Sequence, residues 1–295
     1  MKLARIFPTK TNMTPVDLHA YSDVPDLFTP QYDEAHISVT FTWDVKKAKE
    51  LEHGWRNHAK VIKIGGVAID GESDQPFQAG MYLREGVTIT SRGCPMSCSF
   101  CLVRKDLIEF DEFPAGNIVN DNNFLACSDR HKQLVYKMLR KQKGIEFKGG
   151  IQASRVTAKV AEELRSLSIK TLWLACDTDA SLKQLKTATK LLQKAGFKRD
   201  HLHCYVLVGR EEQRLKEVYD IGCLPFAQLY LPPLDHKLEY SAEARRWQRL
   251  WCRPALYRHI LKERTEKLPT FSSTKKGVNH GRCREGSKEE RNIGE

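Results

Sequence analysis

The chain has no long apolar run. Nowhere in its 295 residues does a hydrophobic stretch approach the roughly 18 residues that a membrane-crossing helix needs, so no membrane partner is expected. The opening residues Met1-Lys2-Leu3-Ala4-Arg5-Ile6-Phe7-Pro8 are basic, but they lack the apolar core and cleavage site of a secretory leader. A cytoplasmic location is therefore the expectation. The second close cysteine pair that usually completes a structural zinc site is also missing. Of the 9 cysteines, Cys127, Cys176, Cys204, Cys223, Cys252 and Cys283 are scattered, several of them in apolar runs where cysteine behaves as a small hydrophobe. No segment repeats beyond an alternation of strand-like and helix-like stretches.

What is present describes a folded α/β chain. Hydrophobic residues make up 41% and charged residues 29%, the balance of a globular protein with enough length for a sizeable core. The formal net charge is +11, and residues 236–295 carry 15 Lys and Arg against 8 Asp and Glu. Such a region can attract polyanions, although solvated basic tails without a partner are common.

Periodicity sets out the elements. Residues 1–30, with Pro8, Pro15, Pro25 and Pro30, read as an extended lead-in. His36 to Thr42 alternates as a strand. Val45 to Arg56 is helical, with Ala48, Leu51 and Trp55 on one face and Asp44 placed to cap it. Lys60 to Gly66 is a second strand ending in a glycine turn, so this lobe is expected to be a small parallel βαβ unit. From Val87 onward six strands follow, five of them leading into a helix. Helices are predicted over Asp129–Lys143, closed by Gly144 as a C′ residue, and over Thr157–Leu167. Another starts after Asp177-Thr178-Asp179, and a last one of this series spans Glu212–Tyr219. The repeat allows a parallel barrel or a doubly wound sheet. In both folds the loops at the strands' C-terminal ends form the site. Beyond Tyr240 an Arg/Trp-rich helix runs from Glu243 to Cys252, and from Pro269 the polar sequence reads as disordered.

One of those C-terminal loops carries Arg92-Gly93-Cys94-Pro95-Met96-Ser97-Cys98-Ser99-Phe100-Cys101. Three thiols spaced C-x3-C-x2-C, without a fourth, suit an iron–sulfur cluster with one iron left open better than a four-ligand zinc knuckle. This stretch resembles the signature of the radical S-adenosylmethionine superfamily, including the aromatic Phe100 before the last cysteine. The resemblance implies a partial (β/α)6 TIM-like barrel over 85–235, a short N-terminal βαβ lobe over 1–84 and a basic C-terminal extension over 236–295. It also implies a 4Fe-4S cluster on Cys94, Cys98 and Cys101. S-adenosylmethionine would occupy the open iron and be cleaved reductively to a 5′-deoxyadenosyl radical that abstracts hydrogen. An external electron donor, flavodoxin- or ferredoxin-like, would supply the electron.

The remaining site residues rest on the same resemblance. Asp121, Asn122 and Asn123, with Phe124, are similar to an Asp-Asp-Asn-type turn of the cobalamin-associated and methylthiotransferase-like branches. Ser154 and Arg155 stand where members place polar ligands for the cofactor's carboxylate and ribose. Asp177 replaces a glutamate common after the fourth strand, and Val208 belongs to an apolar-Gly strand end that flanks the adenine. For each of these loops an ordinary turn or cap is the competing role. The N-terminal lobe is too short for a whole cobalamin domain. It lacks an Asp-x-His-x-x-Gly element, and His36, His53 and His58 have no such context. The charge and the Arg/Trp helix favour a nucleic acid base or nucleotide as substrate. The helix could grip phosphates and stack on bases, or simply cap the barrel with its arginines in water. The alternative to catalysis is a zinc- or cluster-stabilised nucleic-acid-binding protein.

Overall fold

Two parallel sheets, each over its own buried cluster, make up the computed structural model. It describes residues 1–66, 68–69, 81–101, 103, 106–208, 213–230 and 240–263. The tail from Pro269, Gly209, Cys283 and most of the 67–84 connection lie outside the described residues.

The first sheet has the order β2-β1-β3-β4, all parallel, with strands β1 (Leu3–Ile6), β2 (Ala20–Tyr21) and β3 (Tyr32–Ser38). Helix α1 (Val45–Trp55) crosses to β4 (Ala59–Gly65). The expected βαβ unit is therefore present as β3-α1-β4, and α1 buries Ala48, Leu51 and Trp55 as its periodicity predicts. Two expectations are corrected. Residues 1–30 are not simply extended: β1 lies at the centre of the sheet, its Ala4 and Ile6 fully buried between β2 and β3. Four residues are too short a run for alternation to stand out. Asp44 makes no capping bond to α1. Its Oδ1 instead accepts from Thr9 Oγ1 at 3.0 Å, and a single 3-10 turn over Thr42–Asp44 starts the helix.

The second sheet follows from β5 (Gly86–Thr88). A short antiparallel ribbon comes next, β6 (Ser91–Arg92) with β7 (Ile108–Glu109), and holds the cysteine loop between its strands. Then come β8 (Gly116–Val119), α2 (Asp129–Leu139), β9 (Ile145–Ile151), α3 (Ala158–Arg165), β10 (Ile169–Ala175) and α4 (Asp179–Lys194). The series continues with β11 (Leu202–Val208), α5 (Gln213–Ile221), β12 (Leu224–Leu229), α6 (Ala242–Trp251) and α7 (Pro254–Glu263). The strand order is β5-β8-β9-β10-β11-β12, every pair parallel. A doubly wound sheet reverses direction somewhere in its order. This one never does, so right-handed crossovers put its helices on one face, the winding of a (β/α) barrel. The sheet is open, with β5 and β12 at its edges.

Side-chain alternation agrees. Phe147, Leu172, Leu174, Cys204, Val206 and Ala227 are buried with the helices. Their neighbours Glu146, Trp173, His203, Tyr205 and Phe226 point to the other face and are half-buried. Trp173 stacks on His203 and Tyr205 at centroid distances of 4.6 and 4.5 Å, and Phe226 meets both Trp173 and Tyr205 edge-on. Desolvation lowers the pKa of His203.

Boundaries shift where caps decide them. Thr157 and Thr178 cap α3 and α4 through their hydroxyls, Thr178 in a capping box with Ser181. Helix α2 ends at Leu139, short of the expected Lys143, so Gly144 is not its C′ residue. With φ at 63°, Gly144 instead turns the chain into β9.

Candidate functional site

The loop after β5 is held from below by an acid. Asp121, at the C-terminal end of β8, is 1% exposed. Its Oδ1 accepts from the backbone N–H of Thr90 at 2.6 Å and of Ser91 at 3.1 Å, while Oδ2 accepts from Thr90 Oγ1 at 2.5 Å. Thr90 thus gives its one hydroxyl proton to Asp121, so His131 Nε2, 3.1 Å away, must be the donor to Thr90 Oγ1. Burial pushes the Asp121 carboxyl above its ordinary value, opposed by these hydrogen bonds. Neighbouring backbones close in on this turn. A methyl group on Gly149 of β9 would overlap the Asp121 carbonyl, and one on Gly93, where φ is 90°, would overlap the Asp106 carbonyl.

The next two residues reach the cysteine loop itself. Asn122 Oδ1 accepts from Gly93 N–H at 3.0 Å, and Asn123 Nδ2 donates to Cys94 Sγ at 3.2 Å. The same Nδ2 donates to Gln152 Oε1 at 2.8 Å. Gln152 also receives Arg155 Nε at 2.9 Å, and its own Nε2 donates to Ser154 Oγ at 2.7 Å and approaches Met96 Sδ at 3.5 Å. The sequence places Gln152 in one of the loops that converge on the cysteines but gives it no role of its own. Its partners Asn123 and Met96 lie 29 and 56 positions away, and only the strand order brings them to it. The ribbon that bases the loop is fixed to the start of α2, where Glu109 accepts from the Ser128 backbone and from its hydroxyl at 2.7 Å.

Across the sheet, Asp177 follows β10. Its Oδ1 accepts from Leu207 N–H at 2.9 Å, its backbone carbonyl from Arg214 at 3.2 Å. Burial raises its pKa, with Leu207 and Arg214 acting against that. The Cys98 thiol is raised first by desolvation and then by the charges of Cys101, Cys94 and Asp177. Asp177 thus lies at the same end of the sheet, within reach of the Cys98 thiol by charge and not by any hydrogen bond among the described residues. Cys98 and Cys101 are exposed, Cys94 and Phe100 half-buried, and Cys101 Sγ accepts from Val103 N–H at 3.4 Å. Ser154 and Arg155 are exposed at the same end, and Val208 is buried at the end of β11.

The donor set bears on what could bind. Cys94, Cys98 and Cys101 carry free thiols. Among the described residues no three His, Cys, Asp or Glu side chains converge as one ion would require. A cubane cluster takes each cysteine on a different iron, and three free thiols on one loop match that donor set. The other described cysteines do different work. Cys176, Cys204 and Cys223 are fully buried, their thiols pushed up by desolvation. Trp247 and Trp251 of α6 are likewise buried in the same cluster as the sheet, while Arg245, Arg246, Arg249 and Arg253 are exposed. Of the two readings of this helix, the burial matches the barrel cap, with the indoles inward and the arginines in water.

No family model matches the sequence, and no curated protein is similar to it. Among the described residues no helix is long and apolar enough to cross a membrane. By fold, the chain is similar to the structure of a radical S-adenosylmethionine methyltransferase, TsrM, from Kitasatospora setae, with cobalamin and a [4Fe-4S] cluster bound. The TM-score is 0.51 at 9% identity, over 77% of this chain and 74% of that chain. A likeness at that identity establishes a shared fold.

Proposed function

We propose that the protein is a radical S-adenosylmethionine enzyme. The observation that carries this reading is the pinned cysteine loop. Three free thiols stand together at the C-terminal mouth of a sequentially ordered parallel sheet, on a loop that Asp121, Asn122 and Asn123 hold from the next strand. The fold likeness to a radical S-adenosylmethionine methyltransferase supports it. In this reading Cys94, Cys98 and Cys101 hold the 4Fe-4S cluster. Bound there, the cluster supplies one electron to the sulfonium of S-adenosylmethionine, whose S–C5′ bond breaks to methionine and a 5′-deoxyadenosyl radical.

The chain's own residues would place and shield the reactants. Arg155, exposed at the end of β9, offers its guanidinium to a carboxylate, with the Ser154 hydroxyl beside it. Half-buried Phe100 would offer apolar surface to an adenine ring, and Val208, buried at the end of β11, would back that strand end from the core. Asp177, near Cys98, faces the cofactor across the mouth, and a small one-electron carrier of flavodoxin or ferredoxin type would dock beside the exposed Cys98 and Cys101. For the substrate we favour a nucleobase or nucleotide. The half-buried Trp173, His203, Tyr205 and Phe226 suit a planar ring, and the exposed arginines of α6 suit phosphates.

Anaerobic reconstitution with iron and sulfide tests the reaction class. The wild type should take up about four irons, turn brown and release 5′-deoxyadenosine from S-adenosylmethionine with dithionite. Cys98→Ala should lose both. A Cys98→Ala protein with a full cluster and undiminished cleavage would overturn the assignment. Stoichiometric zinc without visible absorbance would instead favour a metal-stabilised nucleic-acid-binding protein.

A further inference from the structure

We infer that Asn123 and Gln152 form a relay that holds an N–H on the Cys94 sulfur and so raises the reduction potential of the cluster bound there. The inference rests on the reading that Cys94 is a cluster ligand.

The relay's polarity is fixed from its outer end. Arg155 Nε can only donate, and it lies 2.9 Å from Gln152 Oε1, so that atom is an acceptor. The Asn123 atom 2.8 Å from the same oxygen must then be its NH2 group. That group also lies 3.2 Å from Cys94 Sγ, so the sulfur faces an N–H and not a carbonyl. Amide orientation is normally a choice between near-identical atoms; here a donor-only guanidinium makes it. The opposite end of the amide points the same way. Asn123 is 4% exposed, and its Oδ1 has no hydrogen-bond partner among the described residues. Leaving a buried acceptor unpaired costs stability. The side chain therefore keeps an orientation that satisfies its two donors at the expense of its acceptor.

The consequence for a bound cluster follows from charge. Adding an electron increases the negative charge on the coordinating sulfurs, and an N–H directed at one of them stabilises that charge more in the reduced state than in the oxidised. Arg155 and Asn123 donate to the same Gln152 oxygen, so Arg155 fixes the orientation of the relay, and the N–H on the sulfur acts through the dipole of the Asn123 amide itself. Asn123 and Gln152 are positioning residues in this account, since neither needs to touch the reactants.

The test is a potentiometric titration of the full-length, anaerobically reconstituted protein, with dithionite as the electron donor and the reduced cluster's EPR signal as the readout. In Asn123→Ala the oxidised-to-reduced ratio at the wild-type midpoint should rise at least about threefold, a shift of roughly 28 mV to more negative potential by the one-electron relation. Gln152→Met keeps the length but removes the acceptor that orients Asn123. It should shift the midpoint in the same direction by less. Circular dichroism and iron content establish that the variants are folded and equally loaded. If Asn123→Ala takes up no cluster, Gln152→Met decides alone. An unchanged or more positive midpoint in the loaded variants overturns the relay and leaves the functional reading standing. A wild type that assembles no cluster overturns that reading, and the relay with it.

Discussion

Asp121 is surrounded by donors from its own chain. Two backbone N–H groups and a hydroxyl, all from Thr90 and Ser91, converge on its carboxylate. Its carboxylate anchors the cysteine loop to the end of β8. Asp121→Ala would strand three buried donors, each worth about 1–3 kcal/mol when unsatisfied, and partial relaxation should leave a net loss of about 3 kcal/mol. Urea unfolding should show it as a lower midpoint with an unchanged slope. A loss under about 0.5 kcal/mol would mean the clamp contributes little. The cysteines were legible in the sequence because their ligand spacing is local and the strand before them is continuous with it. The roles of Asp121, Gln152 and His131 were not. The bonds of Asp121 to Thr90 and Ser91, of His131 to Thr90 and of Gln152 to Asn123 span 29 to 41 positions, and only the pairing of β5, β8 and β9 brings the partners together.

At the scale of elements, the β/α rhythm from β5 to β12 could be read because strands such as β10 and β11 alternate and α2, α3 and α4 carry hydroxyl caps. β1 and β2 could not, being only 4 and 2 residues long, with β1 paired to β3 and β2 to β1. Helix α6 is the instructive intermediate. Its mixed composition allowed two faces, and packing decided between them: Trp247 and Trp251 turn inward, the arginines outward. RNA binding, if it uses this helix, should then be electrostatic. Affinity should fall with added salt at a log–log slope of about 0.7 per phosphate contacted, and Arg246→Glu with Arg249→Glu should reduce that slope without changing the melting temperature. Trp247→Ala should behave differently, costing about 3–5 kcal/mol of stability as a core truncation. Should Trp247→Ala abolish RNA binding while the protein melts normally, the indole would have to be a stacking surface after all.

Taken whole, the molecule has two buried clusters that share no residue. One lies under β1–β4 and α1. The other runs through the six-stranded sheet and out to Trp251 and Tyr257 of the C-terminal helices. Among the described residues the cysteine loop is tied to the second body at Thr90, Ser91 and Gly93. A group that binds the folded loop and not the unfolded chain stabilises whatever must stay folded to hold it. Loading the cluster should therefore slow amide hydrogen exchange unevenly. Protection should rise in peptides covering Thr90–Gly93 and Asp121–Asn123, whose N–H groups the clamp engages, and extend into β8 and β9. Peptides from β3, α1 and β4 should exchange at the same rate with and without the cluster, because their protection is set by openings of a separate core. Equal protection in both sheets would show that the two clusters open as one unit, and the loop's anchorage could then no longer be treated as a property of the β/α sheet alone.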